Sequence, residues 1–135
     1  MSRRATTLHR IDTALAEVGA LEASLTAVRR GHRPGVDPID VARRFHAIAN
    51  AGAGHDAFAP VQELAALAGQ LAGGTARIIP HTAGEFEVVE HAADVLSLLL
   101  RDMGYQLLGR RAADVMPAAT ALRERLEQLL QAAGR

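Results

Sequence analysis

Apolar residues recur at three- and four-residue steps along most of this chain, a spacing typical of amphipathic helices, and few stretches show the period of two that marks strands. The pattern predicts five helices, over about 8–30, 38–51, 60–73, 85–103 and 115–133, with loops at about 31–36 and 74–84. Pro38 and Pro117 fall in the first turns of their helices, where proline's missing N–H costs nothing. Gly52 and Gly54 are expected to end the second helix.

The fourth predicted helix differs from the others in how much of its circumference is apolar. Its polar side chains fall on one narrow stripe, which consists of Glu87, Glu90, Asp94, Ser97 and Arg101. A helix of this kind is buried on more than one side. We therefore expect it either to be the central element of a bundle or to lie partly against a second copy of the chain, so that a homodimer is one of two alternatives.

Length and composition predict one all-α domain. The chain has 135 residues, enough for a single domain that buries a core without disulfides or metal ions, and 49% of them are hydrophobic while only 3% are aromatic. Together with the helical spacing, this composition predicts an up-and-down helical bundle over 1–135, with a four-helix core and a fifth helix.

Charge and residue usage exclude several classes of function. Fifteen acidic residues balance fifteen basic ones, so no net field attracts nucleic acid or an anionic membrane, and neither is expected as a partner. The chain has no cysteine, and all its Lys+Arg positions are arginine, which removes thiolate and lysine chemistry. Without a Gly-rich phosphate loop carrying a lysine, it should neither bind ATP nor act as a kinase. The charged segment after Arg3-Arg4 is unlike the apolar part of an export signal, so we expect a cytoplasmic protein.

The histidines do not form a metal-binding pattern. No two are spaced His-x-x-x-His, and none follows a glutamate by three residues as in di-iron bundles. Neither a metal nor another cofactor is therefore expected. His91 lies at the edge of the apolar arc of the fourth helix and is expected to be packed or hydrogen-bonded. The histidines expected near termini or in surface loops are His9, His32, His55 and His81.

His46 is the histidine that helical geometry turns outward. At about 100° per residue, Val41, Phe45 and Ile48 share one side of the second helix, and His46 projects roughly 130° from the centre of that side. Its outward neighbours are small or polar, namely Ala42, Ala49, Asn50 and, one turn earlier, Arg43. Another protein can therefore approach the imidazole closely, which a phosphoryl-carrying histidine requires.

Arg43 and His46 are followed by an aliphatic residue at Ile48, a glycine turn at Gly52 or Gly54 and an aromatic residue at Phe58. This order resembles histidine phosphotransfer (HPt) domains, most of all the phosphorylatable N-terminal domain of chemotaxis-type histidine kinases. Members of that family show a pattern of the kind Arg-x-x-His-x-Leu-Lys-Gly-x-x-Gly, then Phe-Gly and a helix rich in Leu and Glu. The order of helices is similar over roughly 8–104.

The resemblance implies that His46 is the phosphoacceptor. The family's lysine and glycine after the histidine are Ala49 and Asn50 here, and the third-helix glutamate that orients the imidazole aligns with Gly69 or Gln70. Ala49 then borders the phosphoryl group or the partner. By analogy, the groups expected to hold the phosphoryl oxygens are the cations of Arg43, Arg44 and Arg77 and the amide of Asn50, while Gln70 is expected to orient the ring.

Three functions remain open on the sequence. The first is a phosphorelay carrier that exchanges a phosphoryl group at His46 with a response-regulator receiver domain, with a sensor kinase as a further partner. A neutral imidazole is a competent nucleophile near neutral pH, and in such relays the receiver supplies the magnesium ion and acidic cluster. The second is a noncatalytic HPt-like module that docks or sequesters a signalling partner. The third is a bundle that binds a small ligand beside the fourth helix.

Overall fold

A computed structural model describes residues 3–29, 38–73, 83–110 and 114–133 of the chain. Within these ranges the chain forms five α-helices and no strand. The helices are α1 (Arg3–Arg29), α2 (Pro38–Ala51), α3 (Ala59–Gly73), α4 (Ala83–Leu107) and α5 (Met116–Ala133), and a 3-10 turn at Asp56–Phe58 precedes α3. The predicted all-α class is thereby confirmed.

Two helices are longer than the apolar spacing predicts. α1 begins at Arg3 rather than near Leu8, and α4 runs from Ala83 to Leu107 rather than over 85–103, so that Gly84 is helical. The first three residues of α1 are exposed, and a turn whose side chains do not face the core leaves no periodic signal. The predicted loop at 31–36 and most of the loop at 74–84 lie outside the described residues.

Helices α1 to α4 form the core of the bundle. α2 packs against α1 and α3, α4 packs against the same two helices, and α5 packs on α3 and α4. The large side chains that are fully buried at the centre include Leu21, Phe45, Ile48, Phe58, Leu96, Leu100 and Leu126. Because α5 lies on α3 and α4, the described part of the chain leaves the outer face of α2 uncovered.

Three helices of the same chain cover most of the broad apolar arc of α4. α4 contacts α1, α3 and α5, and the residues of the arc that these contacts bury are Val89, Ala92, Ala93, Val95, Leu96, Leu99 and Leu100. Leu98 stays 51% exposed. α4 therefore lies against three helices of its own chain, and the part of its apolar arc at Leu98 is open.

Glycines shape the turn between α2 and α3. A Cβ atom at Gly52 would lie 2.5 Å from three atoms of the Phe58 side chain, so a glycine is what lets this buried ring pack against the end of α2. Gly54 has a φ of 82°, in the left-handed region that glycine adopts without steric cost. The two predicted turn glycines thus serve different purposes, one for close approach and one for backbone conformation.

Side chains from both neighbouring helices cap the C-terminal end of α2. Arg10 on α1 donates from Nη1 to the carbonyl oxygen of Ala53 at 2.8 Å. Gln62 on α3 donates from Nε2 to the carbonyl oxygen of Ala49 at 3.2 Å. Ala49 lies in the last turn of α2 and Ala53 in the turn that follows it, and these two bonds add to the backbone bond of 3.3 Å from the N–H of Gly52 to the carbonyl oxygen of Ala49. They also fix the end of α2 relative to both of its neighbours.

Candidate functional site

His46 lies in the middle of α2 with its side chain exposed. Val41, Phe45 and Ile48, on the opposite side of the same helix, are at most 5% exposed. The outward orientation that helical geometry predicts for His46 is confirmed. A second protein can therefore reach this imidazole without any rearrangement of the bundle.

Gly69 of α3 lies beside the imidazole ring. A Cβ atom at Gly69 would be 3.7 Å from Cε1 of His46, 3.6 Å from the carbonyl oxygen of Ala42 and 3.3 Å from Cβ of Phe45. One turn further along α3, a Cβ atom at Gly73 would be 3.6 Å from Cβ of Ala42. α2 and α3 thus approach closely where α3 carries glycine, and the imidazole lies at the edge of this contact.

Gln70, which was expected to orient the ring, is exposed and lies about 100° around α3 from Gly69. Of the two aligned positions, the structure brings Gly69 next to His46, and glycine offers no side-chain group to hold a ring nitrogen. Between described residues, no hydrogen bond or ion pair to the His46 ring is found. The ring therefore packs against α3 without being held by it.

Asn50 and Ala49, one turn after His46, have different surroundings. Asn50 is exposed on the same outward face as His46, so its side-chain amide is open to a group carried on the imidazole or on a partner. Ala49 is half-buried against the core, and its carbonyl oxygen is the one that Gln62 caps. Asn50 can therefore supply a hydrogen bond at this site, whereas Ala49 supplies only a methyl group.

The two arginines of the motif are directed towards α1 and solvent. Arg44 is half-buried, and its Nε donates a hydrogen bond of 2.9 Å to Oγ of Ser24 on α1. Residues two apart on a helix point in nearly opposite directions, so the structure does not bring Arg44 to His46. Arg43 is 76% exposed and forms an ion pair of 3.6 Å with Asp40, one turn earlier.

An open groove of about 300 Å³ lies between α1 and α2. It is lined by Glu17, Asp40, Arg43, Arg44 and Ala47, so charges of both signs meet there and His46 is not part of it. The cations of the motif thus line the α1 side of the outer face, while the imidazole lies on the α3 side. Arg77, the third predicted cation, lies outside the described residues.

Two contacts of the site were not predicted from the sequence, that of Gly69 with His46 and that of Ser24 with Arg44. Gly69 and Gly73 are spaced four apart on one face of α3, which is a signal for close helix approach, but the sequence does not say which helix approaches. Ser24 lies among the apolar positions of α1 and is only 8% exposed, so its place in the sequence does not indicate that it bonds to Arg44. Both contacts depend on how neighbouring helices are rotated.

The other histidines do not join the site. His91 was expected to be packed or hydrogen-bonded, but it is exposed on α4, and no hydrogen bond joins it to another described residue. The apolar arc of α4 is narrower at His91 than the sequence suggests, because Ala92 and Ala93 face the core while His91 does not. His55 contacts the edge of Phe58, with ring centroids 6.0 Å apart, and His32 and His81 lie outside the described residues. Within the described ranges, no group of three or more His, Cys, Asp or Glu side chains is placed to hold a metal ion.

No protein-family model, curated protein or solved structure matches this chain. The described helices include none that is long and apolar enough to cross a membrane. The described residues form an all-α bundle with His46 exposed in the middle of α2. The imidazole lies beside Gly69 of α3, and the exposed side chains of Arg43 and Asn50 lie one turn before and one turn after it.

Proposed function

We propose that this chain is a histidine phosphotransfer protein, which relays a phosphoryl group through His46 to or from a response-regulator receiver domain in the cytoplasm. The proposal rests on the exposed imidazole of His46 in the middle of α2. The small residues around this imidazole are Ala42, Ala49 and Gly69. A receiver has to bring its aspartyl phosphate within bonding distance of a ring nitrogen. Small neighbours on two helices leave room for that approach.

The proposed reaction is a phosphoryl exchange between two side chains. The lone pair of the unprotonated ring nitrogen of His46 attacks phosphorus, an N–P bond forms as the P–O bond to the receiver's aspartate breaks, and the aspartate leaves as a carboxylate. The proton on the other ring nitrogen stays on the ring or passes to water. The magnesium ion and the acidic cluster belong to the receiver, which leaves this chain to present and position the imidazole.

Two side chains on the outer face of α2 suit contact with the phosphoryl oxygens. Asn50 is exposed one turn after His46 and can donate from its amide. Arg43 is exposed one turn before it, and its one ion pair with a described residue is the pair with Asp40. Exposed ion pairs of this kind contribute about 0–1 kcal/mol, so the guanidinium is free to turn to a phosphoryl group at little cost. Arg44 has a structural role instead, because its Nε donates a hydrogen bond to Ser24 on α1.

One observation favours a second candidate, a noncatalytic module that docks or sequesters a signalling partner. The position where the HPt pattern carries a lysine is Ala49, and Arg44 is directed to α1. Such a surface keeps the shape needed for docking while it offers fewer cations to a phosphate. The two candidates predict the same complex and differ only in whether phosphate moves.

Transfer of phosphate decides between them. Receiver domains from the same genome are charged with acetyl phosphate, then incubated with the wild-type chain, with His46→Gln and with His91→Gln as the matched control, since His91 is an exposed histidine on another helix. We expect acid-labile phosphate on the wild type and on His91→Gln, and none on His46→Gln. Equal labelling of His46→Gln contradicts the proposal. The docking module is supported by a different result: receivers bind wild type and His46→Gln equally well, and neither protein acquires phosphate.

A further inference from the structure

The outward face of α4 carries a stripe of exposed side chains. They follow one another at steps of three and four residues, so they fall within about 80° of the helix circumference. The members of this outer stripe are His91, Asp94, Leu98, Arg101 and Tyr105. Among the described residues, three of the four exposed large hydrophobic side chains are Leu98, Tyr105 and, directly after the helix, Leu108. Exposed apolar surface is therefore concentrated on this face, as it is at sites where a protein binds a partner.

The charges of the outer stripe are arranged symmetrically about Leu98. Asp94 lies one turn before Leu98 and Arg101 one turn after it. Neither forms an ion pair with another described residue. Two copies of α4 that run antiparallel and cross at Leu98 bring each Asp94 to the partner's Arg101. A parallel pair would instead set like charges against each other, so the stripe is complementary to itself in one direction only.

We propose that two copies of this chain associate through the outer stripe, as an antiparallel pair of α4 helices about a two-fold axis at Leu98. The two Leu98 side chains meet at the axis, and the ion pair between Asp94 and the partner's Arg101 forms twice, once on each side of it. An interface with two-fold symmetry uses the same patch on both copies, so one self-complementary stripe is sufficient to build it. The charges fix the direction of the helices, and the apolar side chains supply the burial.

The length of the outer stripe fits a weak dimer. From His91 to Tyr105 it extends about 21 Å along the helix, at about 1.5 Å per residue. A single helix face of this length buries less than about 1,200 Å² between two copies, which is the range of weak and transient interfaces. We therefore expect a monomer–dimer equilibrium with a dissociation constant between about 10 µM and about 1 mM.

The paired α4 helices leave the His46 face open in both copies. α2 and α4 each pack against α1 and α3, so they lie on opposite sides of the four-helix core. Dimerisation therefore neither requires nor blocks the proposed phosphotransfer, and the two proposals can fail independently.

The first test measures the oligomeric state by sedimentation velocity, from about 1 µM to about 1 mM protein. We expect the wild type to pass from monomer to dimer within this range. Asp94→Arg and Arg101→Asp should each weaken the dimer roughly five- to tenfold, because two attractive contacts become repulsive, and the two changes combined should restore the wild-type dissociation constant. Arg125→Asp, the same change at an exposed arginine of α5, is the matched control and should have no effect.

Leu98→Ala tests the apolar centre of the interface in the same experiment. It removes surface that the monomer leaves exposed, so it should weaken the dimer roughly tenfold while the stability of the monomer stays nearly unchanged. A wild-type chain that stays monomeric at every concentration overturns the inference. So does a dimer that Leu98→Ala and the two charge reversals leave as tight as the wild type.

The second test measures the direction of the two helices. The chain has no cysteine, so His91→Cys and Tyr105→Cys each introduce a single thiol. The antiparallel pair places His91 beside the partner's Tyr105 and keeps the two copies of either residue about 21 Å apart. A short bifunctional maleimide should therefore cross-link a mixture of the two variants, and neither variant alone. Cross-linking of each variant to itself, with no more product in the mixture, would overturn the antiparallel arrangement.

Discussion

At the scale of the residue, the candidate site consists of an exposed histidine whose ring forms no hydrogen bond or ion pair with another described residue. His46 packs against the glycine at position 69, and the nearby cations are engaged elsewhere, Arg44 with Ser24 and Arg43 with Asp40. The exposure of His46 could be predicted from the sequence, because period and phase along one helix decide it. The roles of Arg44 and Gly69 could not, because they depend on the rotation of α1 and α3 against α2.

The hydrogen bond between Arg44 and Ser24 leads to a prediction about stability. Arg44→Ala and Ser24→Ala should each destabilise the fold, and a double-mutant cycle should give a coupling free energy of about 0.5–1.5 kcal/mol, as for a partly buried hydrogen bond. The free energies of unfolding are measured by urea denaturation. Arg43→Ala is the control, and its cost should stay below about 0.5 kcal/mol because the pair with Asp40 is exposed. Additive effects of the Arg44 and Ser24 changes would contradict this assignment.

At the scale of the element, α2 is positioned by its C-terminal turn. Arg10 donates to the carbonyl oxygen of Ala53 in the turn after α2, and Gln62 donates to that of Ala49 in its last turn. Phe58 packs over Gly52. The glycines and the aromatic residue of this turn could be predicted from the sequence because turn residues signal themselves locally. The caps could not, since Arg10 and Ala53 are distant in the chain and meet only when α1 lies beside α2.

Gly52→Ala tests the packing of this turn. The new Cβ would lie 2.5 Å from the Phe58 ring, so we expect a loss of about 1–3 kcal/mol in the free energy of unfolding from overpacking. Gly19→Ala is the matched control, because Gly19 is exposed within α1 and a Cβ there meets nothing within 4 Å. That change should stabilise the chain by about 0.5–1 kcal/mol through helix propensity alone. Equal effects of the two substitutions would show that Phe58 does not pack on Gly52.

At the scale of the whole molecule, α5 completes the bundle without covering the site. It packs on α3 and α4, while α2 packs on α1 and α3, so the five described helices leave the His46 face open. Helix number and class could be predicted from periodicity. Which helices are neighbours could not, because an apolar stripe says that a face is buried and not what buries it.

Leu126 tests whether α5 folds together with the rest of the chain. It is fully buried, so Leu126→Ala should cost about 2–5 kcal/mol. Tyr105 is the only tyrosine and there is no tryptophan, so its fluorescence reports on α4 while far-UV circular dichroism reports on all helices. The two transitions should coincide in both proteins. Leu98→Ala is the control, with an expected cost below about 0.5 kcal/mol because Leu98 is 51% exposed. Separate transitions would mean that α5 is not part of one cooperative unit.

We propose that His46 carries the phosphoryl group, and this is tested by locating phosphate among the six histidines of the chain. The protein is loaded from a phosphorylated receiver domain, kept at alkaline pH, digested and analysed by mass spectrometry. We predict one phosphorylated histidine, His46. Phosphate on a different histidine would contradict this prediction. So would a phosphorylated receiver domain that binds the chain but transfers no phosphate to it.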